Sequence, residues 1–127
     1  MKAITICQPY AELIASGAKR VENRTWATSY RGELAIHAGK SRKFGGTDGM
    51  VYGAVVAIAR LTRIVWVESI PMFVPPHPEF SWLLDHVHVE GPWCWILEGV
   101  QRVKPFACRG DRGVWELCVT RADLEFA

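Results

Sequence analysis

One alternating apolar run, GMVYGAVVAIARLTRIVWV at residues 49–67, restricts the possible folds of this chain more than any other segment. Its side chains follow a period of two, the spacing of a β-strand, and apolar residues occupy both sets of alternating positions. One set is Tyr52, Ala54, Val56 and Ile58, and the other is Val55, Ala57, Ala59 and Leu61. The run therefore predicts a long strand, bent at Gly53, with both faces covered by other parts of the protein.

Further strand patterns surround this run along the chain. They occur in AITIC, in the residues from Val21, in RGELAIHAG, in WCWILEGVQRVKPF and in GVWELCV, with RGDRG as a turn. QPYAELIASG indicates a helix with Pro9 at its first position and Gly17 as its stop. Residues 71–80 contain four prolines, which predicts an irregular loop before a short helix near FSWLLDHV.

These elements predict an α+β, mainly β fold, in which a helix follows the first strand. Five or six short strands with glycine-rich turns favour a small closed or nearly closed β-barrel with short helices at its rim, and a β-sandwich is the competing fold. The length of 127 residues suits a single domain over residues 1–127, since half of the residues are hydrophobic and no repeat or linker is visible.

Several classes of protein are disfavoured. The apolar stretch MVYGAVVAIA ends at Arg60, short of the roughly 18–20 residues that a membrane span needs. No signal peptide is visible either, so we expect a cytoplasmic location and no membrane partner. Four scattered cysteines form no C-x-x-C pair and are expected to be buried thiols. The histidines at 77, 86 and 88 lack the spacing of metal ligands, and we expect neither a metal nor a cofactor.

The charge distribution is more informative than the net charge of +2. Seven Lys and Arg residues stand against two Glu residues between positions 19 and 43, and a second basic cluster lies at 102–112. Clusters distant in sequence can meet on one face of a closed barrel and bind phosphates. Ordinary solvated surface explains the same pattern.

The most concentrated charges lie in GAKRVENR, residues 17–24. Glu22, Arg24 and Trp26 share one face of the predicted strand. A lysine close to a carboxylate in a partly closed cavity can act as a base, a nucleophile or an electrostatic clamp. The spacing of Lys19 and Glu22 also fits a surface ion pair at a helix end, worth about 0.3 kcal/mol. Spacing alone leaves both interpretations open.

His37 and Lys40 stand where the predicted strand RGELAIHAG opens into a loop, a common place for functional residues. A lone histidine is, however, more often a hydrogen-bonded structural residue. Most of the six tryptophans are expected in the core. We retain Trp26 and Trp93 as candidates for stacking on bases.

These residues resemble a known family, the ASCH domain, named for homology to an activating signal cointegrator. The similarity extends over QPYAELIASGAKRVENRTW, YRGELAIHAGKS and CWILEGVQRVKPFACRGDRGVWEL. Its most specific part is G-x-K-x-x-E-x-R, which here is Gly17, Lys19, Glu22 and Arg24. R-G-x-x-x-I-H at 31–37 and the K-P pair at 104–105 reinforce it.

The resemblance implies a PUA-like barrel with a cleft beside the first helix, into which the motif side chains point. We therefore expect Lys19, Glu22, Arg24 and His37 to converge on one cleft. The implied function is binding of nucleic acid or a nucleotide, namely single-stranded RNA or a modified nucleoside. The candidate binding residues are Lys19, Glu22, Arg24, Trp26, Arg31, His37, Lys40 and Arg109.

Two other functions are kept open. One branch of the family consists of amidohydrolases that deacylate N4-acetylcytidine with a Lys, a Thr and a Glu, and other relatives resemble ribonucleases. Lys19 and Glu22 would be catalytic in either case, although Glu22 stands where the amidohydrolases have their Thr. A protein-interaction module is the third hypothesis, and it depends on exposure of Trp93 and Trp95 in EGPWCW.

Overall fold

The computed structural model describes residues 1–68 and 88–127. Six strands form one mixed sheet: β1 (Lys2–Ile6), β2 (Val21–Arg24), β3 (Gly32–Ala38), β4 (Ala54–Trp66), β5 (Trp93–Ala107) and β6 (Val114–Glu116). Their order in the sheet is β2-β5-β4-β3-β1-β6. The pairing of β1 with β3 is parallel, and the other four neighbouring pairs are antiparallel.

The sheet curls into a half-barrel. β4 and β5 pair along most of their length, and three register shifts interrupt their ladder. Such bulges bend strands and increase their twist. The curl brings the edge strand β2 close to β1. A hydrogen bond of 2.9 Å from Arg24 Nη2 to the Thr5 carbonyl joins the two strands. The predicted mainly β, barrel-type fold is confirmed, in the form of an open, curled sheet.

The central strand β4 has the double-sided burial that its sequence predicts. All six residues of Ala54–Ala59 are buried. The predicted alternation breaks at the register shift between Val55 and Ala57, because Val55 and Ile58, which belong to different predicted sets, pack in the same cluster. The strand begins five residues later than the predicted segment, directly after Gly53. Gly53 has a φ of +68°, which an extended strand cannot contain, so the expected bend is instead the start of the strand.

The predicted helix is present but shorter, as α1 (Tyr10–Ala15). Pro9 is its N-cap residue, and the buried Gln8 side chain accepts the Glu12 amide at 2.9 Å. The same Gln8 donates to the Val51 carbonyl at 2.8 Å, which ties the helix start to the segment before β4. After the helix, Gly17 adopts a φ of +86° and turns the chain toward β2.

Hydrophobic clusters cover both faces of the sheet. One contains the buried α1 residues, Trp95 and parts of β1, β3, β4 and β5. The other packs Leu117 and Leu124 against Val55 and Ile58. A 3₁₀ turn at Arg121–Asp123 precedes Leu124. The last predicted strand, GVWELCV, is shorter than expected, because only the three residues of β6 belong to the sheet.

Some expectations differ from the structure or lie beyond it. All four cysteines are free, but only Cys94 is buried, and the expectation of four buried thiols is wrong for the exposed Cys118. Residues 1–68 and 88–127 contain no helix with the length and hydrophobicity that a membrane span requires. Those same residues contain no cluster of three or more potential metal ligands. The Pro-rich loop and the helix near FSWLLDHV lie outside them.

Candidate functional site

The motif residues are positioned by the turn from α1 into β2. The Lys19 amide donates to the Leu13 carbonyl at 3.0 Å, which holds the turn against the helix. β2 then begins at Val21 and pairs with β5, with Glu22 opposite Trp95 and Arg24 opposite Trp93. Period-two alternation places Glu22 and Arg24 on one face of this strand, as expected from the sequence.

Glu22 is a buried carboxylate between two cations. Its Oε2 accepts from Arg24 Nη2 at 3.0 Å, and its Oε1 lies 3.9 Å from Lys19 Nζ. Lys19 is only 4% exposed and Glu22 only 7%. An ion pair this deeply buried is far from the solvated helix-end pair that the spacing also allowed. The buried Nε of Arg24 has no hydrogen-bond partner among the described residues.

Burial lowers the pKa of Lys19 below its ordinary value, and the negative charge of Glu22 opposes this shift. The ammonium lies 5.4 Å from the centre of the Tyr10 ring, a cation–π distance. Desolvation disfavours the charged form of an amine. Lys19 is therefore a cation whose proton is held less tightly than that of a surface lysine.

These side chains open into a cavity of about 330 Å³, which we call the motif cavity. The end of β1, the start of α1 and the motif form its walls, and Lys43, Phe44, His88 and Glu90 complete the lining. Tyr10 and Phe44 form an aromatic pair with ring centres 5.4 Å apart. The cavity thus combines charged donors, a carboxylate acceptor and aromatic faces.

Asn23, between the two charged positions of β2, shapes the rim of the motif cavity. Its Oδ1 accepts the amides of Glu90 and Gly91 at 2.9 and 2.8 Å, and its Nδ2 donates to the His88 carbonyl at 2.9 Å. These hydrogen bonds hold the segment of His88 and Glu90 against β2, so that both residues line the motif cavity. Asn23, Tyr10 and Thr5 were not predicted as site residues, although the first two lie inside the sequence blocks that carry the family resemblance.

His37 does not converge with the motif, contrary to the expectation. It is 2% exposed, its Nε2 donates to the Cys108 carbonyl at 2.9 Å, and its Nδ1 lies 3.2 Å from the Thr5 hydroxyl. Trp115 donates to the same hydroxyl at 3.1 Å. Since a carbonyl only accepts, this arrangement fits a ring that is protonated at Nε2 and whose Nδ1 accepts a hydrogen bond from the Thr5 hydroxyl. His37 therefore belongs to a buried hydrogen-bond chain.

This chain borders a second cavity of about 930 Å³, which we call the basic cavity. It is lined by Lys40, Arg109 and Arg112, together with His37 and Thr5. Thr5 also lines the motif cavity, so the two cavities share this residue. The two sequence-distant basic clusters meet here through Lys40 and Arg109. Arg102 and Lys104 instead pair with Glu12 and Glu125.

The remaining candidates line neither cavity. Trp26 packs edge-on against Trp95, with ring centres 4.9 Å apart, and accepts the indole proton of Trp95 at its carbonyl. Arg31 is exposed and donates to the carbonyls of the preceding turn. Trp95 is fully buried and Trp93 is half-buried against Trp66, which removes much of the support for the protein-interaction hypothesis.

Comparison with known proteins agrees with the resemblance. The ASCH domain model matches residues 4–82, and the chain belongs to the ASCH domain family. The fold is similar to a crystal structure of ASCH from Zymomonas mobilis, with a TM-score of 0.59 and 17% identity over 91% of this chain and 86% of that one. A tyrosine-to-phenylalanine mutant of that protein gives a TM-score of 0.58 and 16% identity over 91% and 88% of the two chains. A serine-to-alanine mutant of the same Zymomonas mobilis protein gives a TM-score of 0.56 and 16% identity over 91% of this chain and 87% of that one. No curated protein matches the sequence significantly.

Proposed function

We propose that the protein binds single-stranded RNA or a modified nucleoside, with one nucleoside seated in the motif cavity. The observation that carries the proposal is the buried Lys19–Glu22 pair, with Arg24 beside it, opening into a cavity with an aromatic wall. A family-level argument points the same way, because ASCH domains are generally thought to bind RNA.

The chemistry of the motif cavity matches that of a nucleobase. A base presents hydrogen-bond donors and acceptors on its edge and a π-face above and below, and proteins read unpaired bases by combining both features. Lys19 and Arg24 offer donors, Glu22 offers an acceptor, and Tyr10 and Phe44 offer ring faces. The volume of about 330 Å³ lies at the lower end of the range for small-ligand sites, which suits one nucleoside.

The Lys19–Glu22 pair also supplies a reason for selectivity. An apolar ligand would bury these charges without compensation, whereas a base with suitably placed polar groups would satisfy them. The buried Arg24 Nε, which lacks an acceptor in the described part of the chain, adds a further donor that a ligand oxygen can satisfy. The site is therefore built to discriminate by hydrogen bonding.

Fluorescence anisotropy with a labelled single-stranded RNA of mixed sequence tests the proposal, followed by competition with free nucleosides including N4-acetylcytidine. Lys19→Met should weaken binding by about 10- to 100-fold, as expected for losing a hydrogen bond from a charged group. Glu12→Gln is the matched control, because Glu12 forms an exposed ion pair and lines neither cavity. Wild-type affinity in Lys19→Met would rule out the motif cavity as the binding site.

Hydrolysis is a second candidate, favoured by one observation: burial lowers the pKa of Lys19. An amine that deprotonates more easily is more often in the free-base form that a general base needs, and Glu22 at 3.9 Å lies within reach of it through one bridging water. Glu22 still occupies the position where the amidohydrolases use a Thr, so binding without turnover remains the preferred function.

Incubation with N4-acetylcytidine, followed by chromatography of released cytidine, separates the two candidates. A hydrolase should release cytidine at a rate that rises with pH as Lys19 loses its proton, and Lys19→Met should abolish the release. Labelled RNA incubated in parallel and resolved on a gel reports ribonuclease activity. If neither product forms while RNA still binds through Lys19, the site is a binding site only.

A further inference from the structure

The basic cavity is assembled by a chain of contacts between distant segments. The stem of Lys40 lies over Gly53, where an added Cβ would stand 2.9 Å from Lys40 Cε. The Gly53 carbonyl accepts the Cys108 amide at 3.1 Å, and the Cys108 carbonyl accepts His37 Nε2 at 2.9 Å. These bonds hold the turn that follows β5 beside Lys40.

The turn also packs closely against the buried hydrogen-bond chain. A Cβ added at Gly110 would lie 2.5 Å from the Thr5 hydroxyl oxygen and 2.7 Å from His37 Nδ1. Only glycine allows this approach without displacing its neighbours. Arg109 and Arg112, on either side of this contact, are therefore carried by a turn whose position is well determined.

The cations of this cavity lack the carboxylate partners that several other cations of the surface have. Within residues 1–68 and 88–127, Lys40, Arg109 and Arg112 make no ion pair with a carboxylate. Four other cations have such a partner at 2.7–3.0 Å, namely Arg42, Arg102, Lys104 and Arg121, whereas no ion pair is found in the described residues for the exposed Arg31, Lys43 and Arg60. Asp111 is the one carboxylate that the described part of the chain contributes to the lining, and its Oδ1 accepts the main-chain amide of Arg112 at 2.7 Å. Three cations against one anion leave the cavity with an uncompensated positive charge.

We propose that the basic cavity is a phosphate subsite, which holds the backbone of the RNA whose nucleoside occupies the motif cavity. This inference rests on the proposed function and narrows it, because it makes the ligand a nucleotide or polynucleotide rather than a free nucleoside. The position of Thr5 between the two cavities supports this proposal. Its carbonyl accepts Arg24 of the motif, while its hydroxyl bonds His37 beside the basic cavity. Because the two cavities are adjacent and share Thr5, one can hold a base while the other holds a phosphate of the same RNA strand.

The test is the salt dependence of RNA binding, measured by anisotropy between about 50 and 500 mM salt. The variant Lys40→Gln/Arg109→Gln/Arg112→Gln removes three cations from the cavity. If each contacts a phosphate, the slope of log affinity against log salt falls by about 2, and affinity near 0.1 M salt falls by about 100-fold. Arg102→Gln/Lys104→Gln is the control, since those two exposed, ion-paired cations line neither cavity and should leave the slope unchanged.

The free nucleosides and their monophosphates provide an independent readout. Wild type should bind a nucleoside monophosphate more tightly than the nucleoside, and the triple variant should bind the two equally. Urea unfolding of each variant verifies that these exposed substitutions leave the fold intact.

Failure of the subsite is distinguishable from failure of the proposed function. If wild type binds neither RNA nor any nucleoside, the proposed function is wrong. If wild type binds and Lys19→Met weakens binding, but the triple variant keeps the wild-type salt slope, then the phosphates lie elsewhere and the subsite is overturned.

Discussion

Replacing Glu22 by Gln should destabilise the protein far more than its single lost charge suggests. Glu22 lies between Lys19 and Arg24, and removing its charge leaves two cations in a poorly hydrated site. Breaking a buried pair by removing one partner typically costs 3–5 kcal/mol. Gln keeps an oxygen for the Arg24 hydrogen bond, and the Arg24 side chain is 24% exposed, so we expect the lower end, about 3 kcal/mol.

The matched comparison is Glu12→Gln. Glu12 binds Arg102 with two hydrogen bonds of 2.7 and 2.9 Å, which is better geometry than Glu22 has. Both side chains are about 40% exposed, however, and exposed pairs are worth at most about 1 kcal/mol. Urea unfolding followed by tryptophan fluorescence measures both variants. Thermal unfolding should show a loss of roughly 10 °C for Glu22→Gln and no more than about 5 °C for Glu12→Gln.

The double variant Lys19→Met/Glu22→Gln provides the internal check. It also removes the Lys19 ammonium, which Glu22→Gln leaves buried without its carboxylate partner, so the double variant should be more stable than Glu22→Gln alone. The changes in the free energy of unfolding of the two single variants should therefore not be additive. If Glu22→Gln lowers the free energy of unfolding no more than Glu12→Gln does, burial does not set the strength of the motif ion pairs. That result would refute the reasoning.

Three other predictions follow from the same structure. Because burial holds the pKa of Lys19 below its unfolded value of about 10.4, the unfolded chain binds more protons between the two values. The free energy of unfolding should therefore rise with pH across that alkaline window in wild type, and Lys19→Met should lose this rise. Gly110→Ala places a methyl group 2.7 Å from His37 Nδ1 and should cost about 1–3 kcal/mol in urea unfolding; a neutral result would contradict the described packing. Burial raises the pKa of the Cys94 thiol, whereas Cys118 is exposed, so iodoacetamide should label Cys118 first and spare Cys94 in native protein, as mass spectrometry would show.

The candidate site was only partly visible in the sequence. The motif spacing identified Lys19, Glu22 and Arg24, and period-two alternation correctly placed the last two on one face of a strand. Spacing could not tell a buried ion pair from a surface one, because burial depends on what the rest of the chain places above the pair. The 4% exposure of Lys19 results from packing that spacing does not encode.

His37 shows why local patterns cannot group site residues. Both its strand end and the motif were predicted as candidate sites, yet the histidine lies beside the basic cavity and not beside the motif cavity. Which strand ends meet is set by the sheet order and by the curl of the sheet, and the register shifts between β4 and β5 contribute to that curl. Thr5, which contacts both sites, gave no signal at all, since an isolated Thr in a strand is ordinary.

The amino-acid sequence alone was sufficient for the mainly β fold, for the double-sided burial of β4 and for the position of the first helix, because periodicity and helix-terminating residues act over a few neighbouring positions. The meeting of Lys40 with Arg109, and the separation of His37 from Lys19, came only with the folded chain. Those relations join residues more than fifteen positions apart, and the curl of the sheet, a property of all its strands together, determines which of them become neighbours.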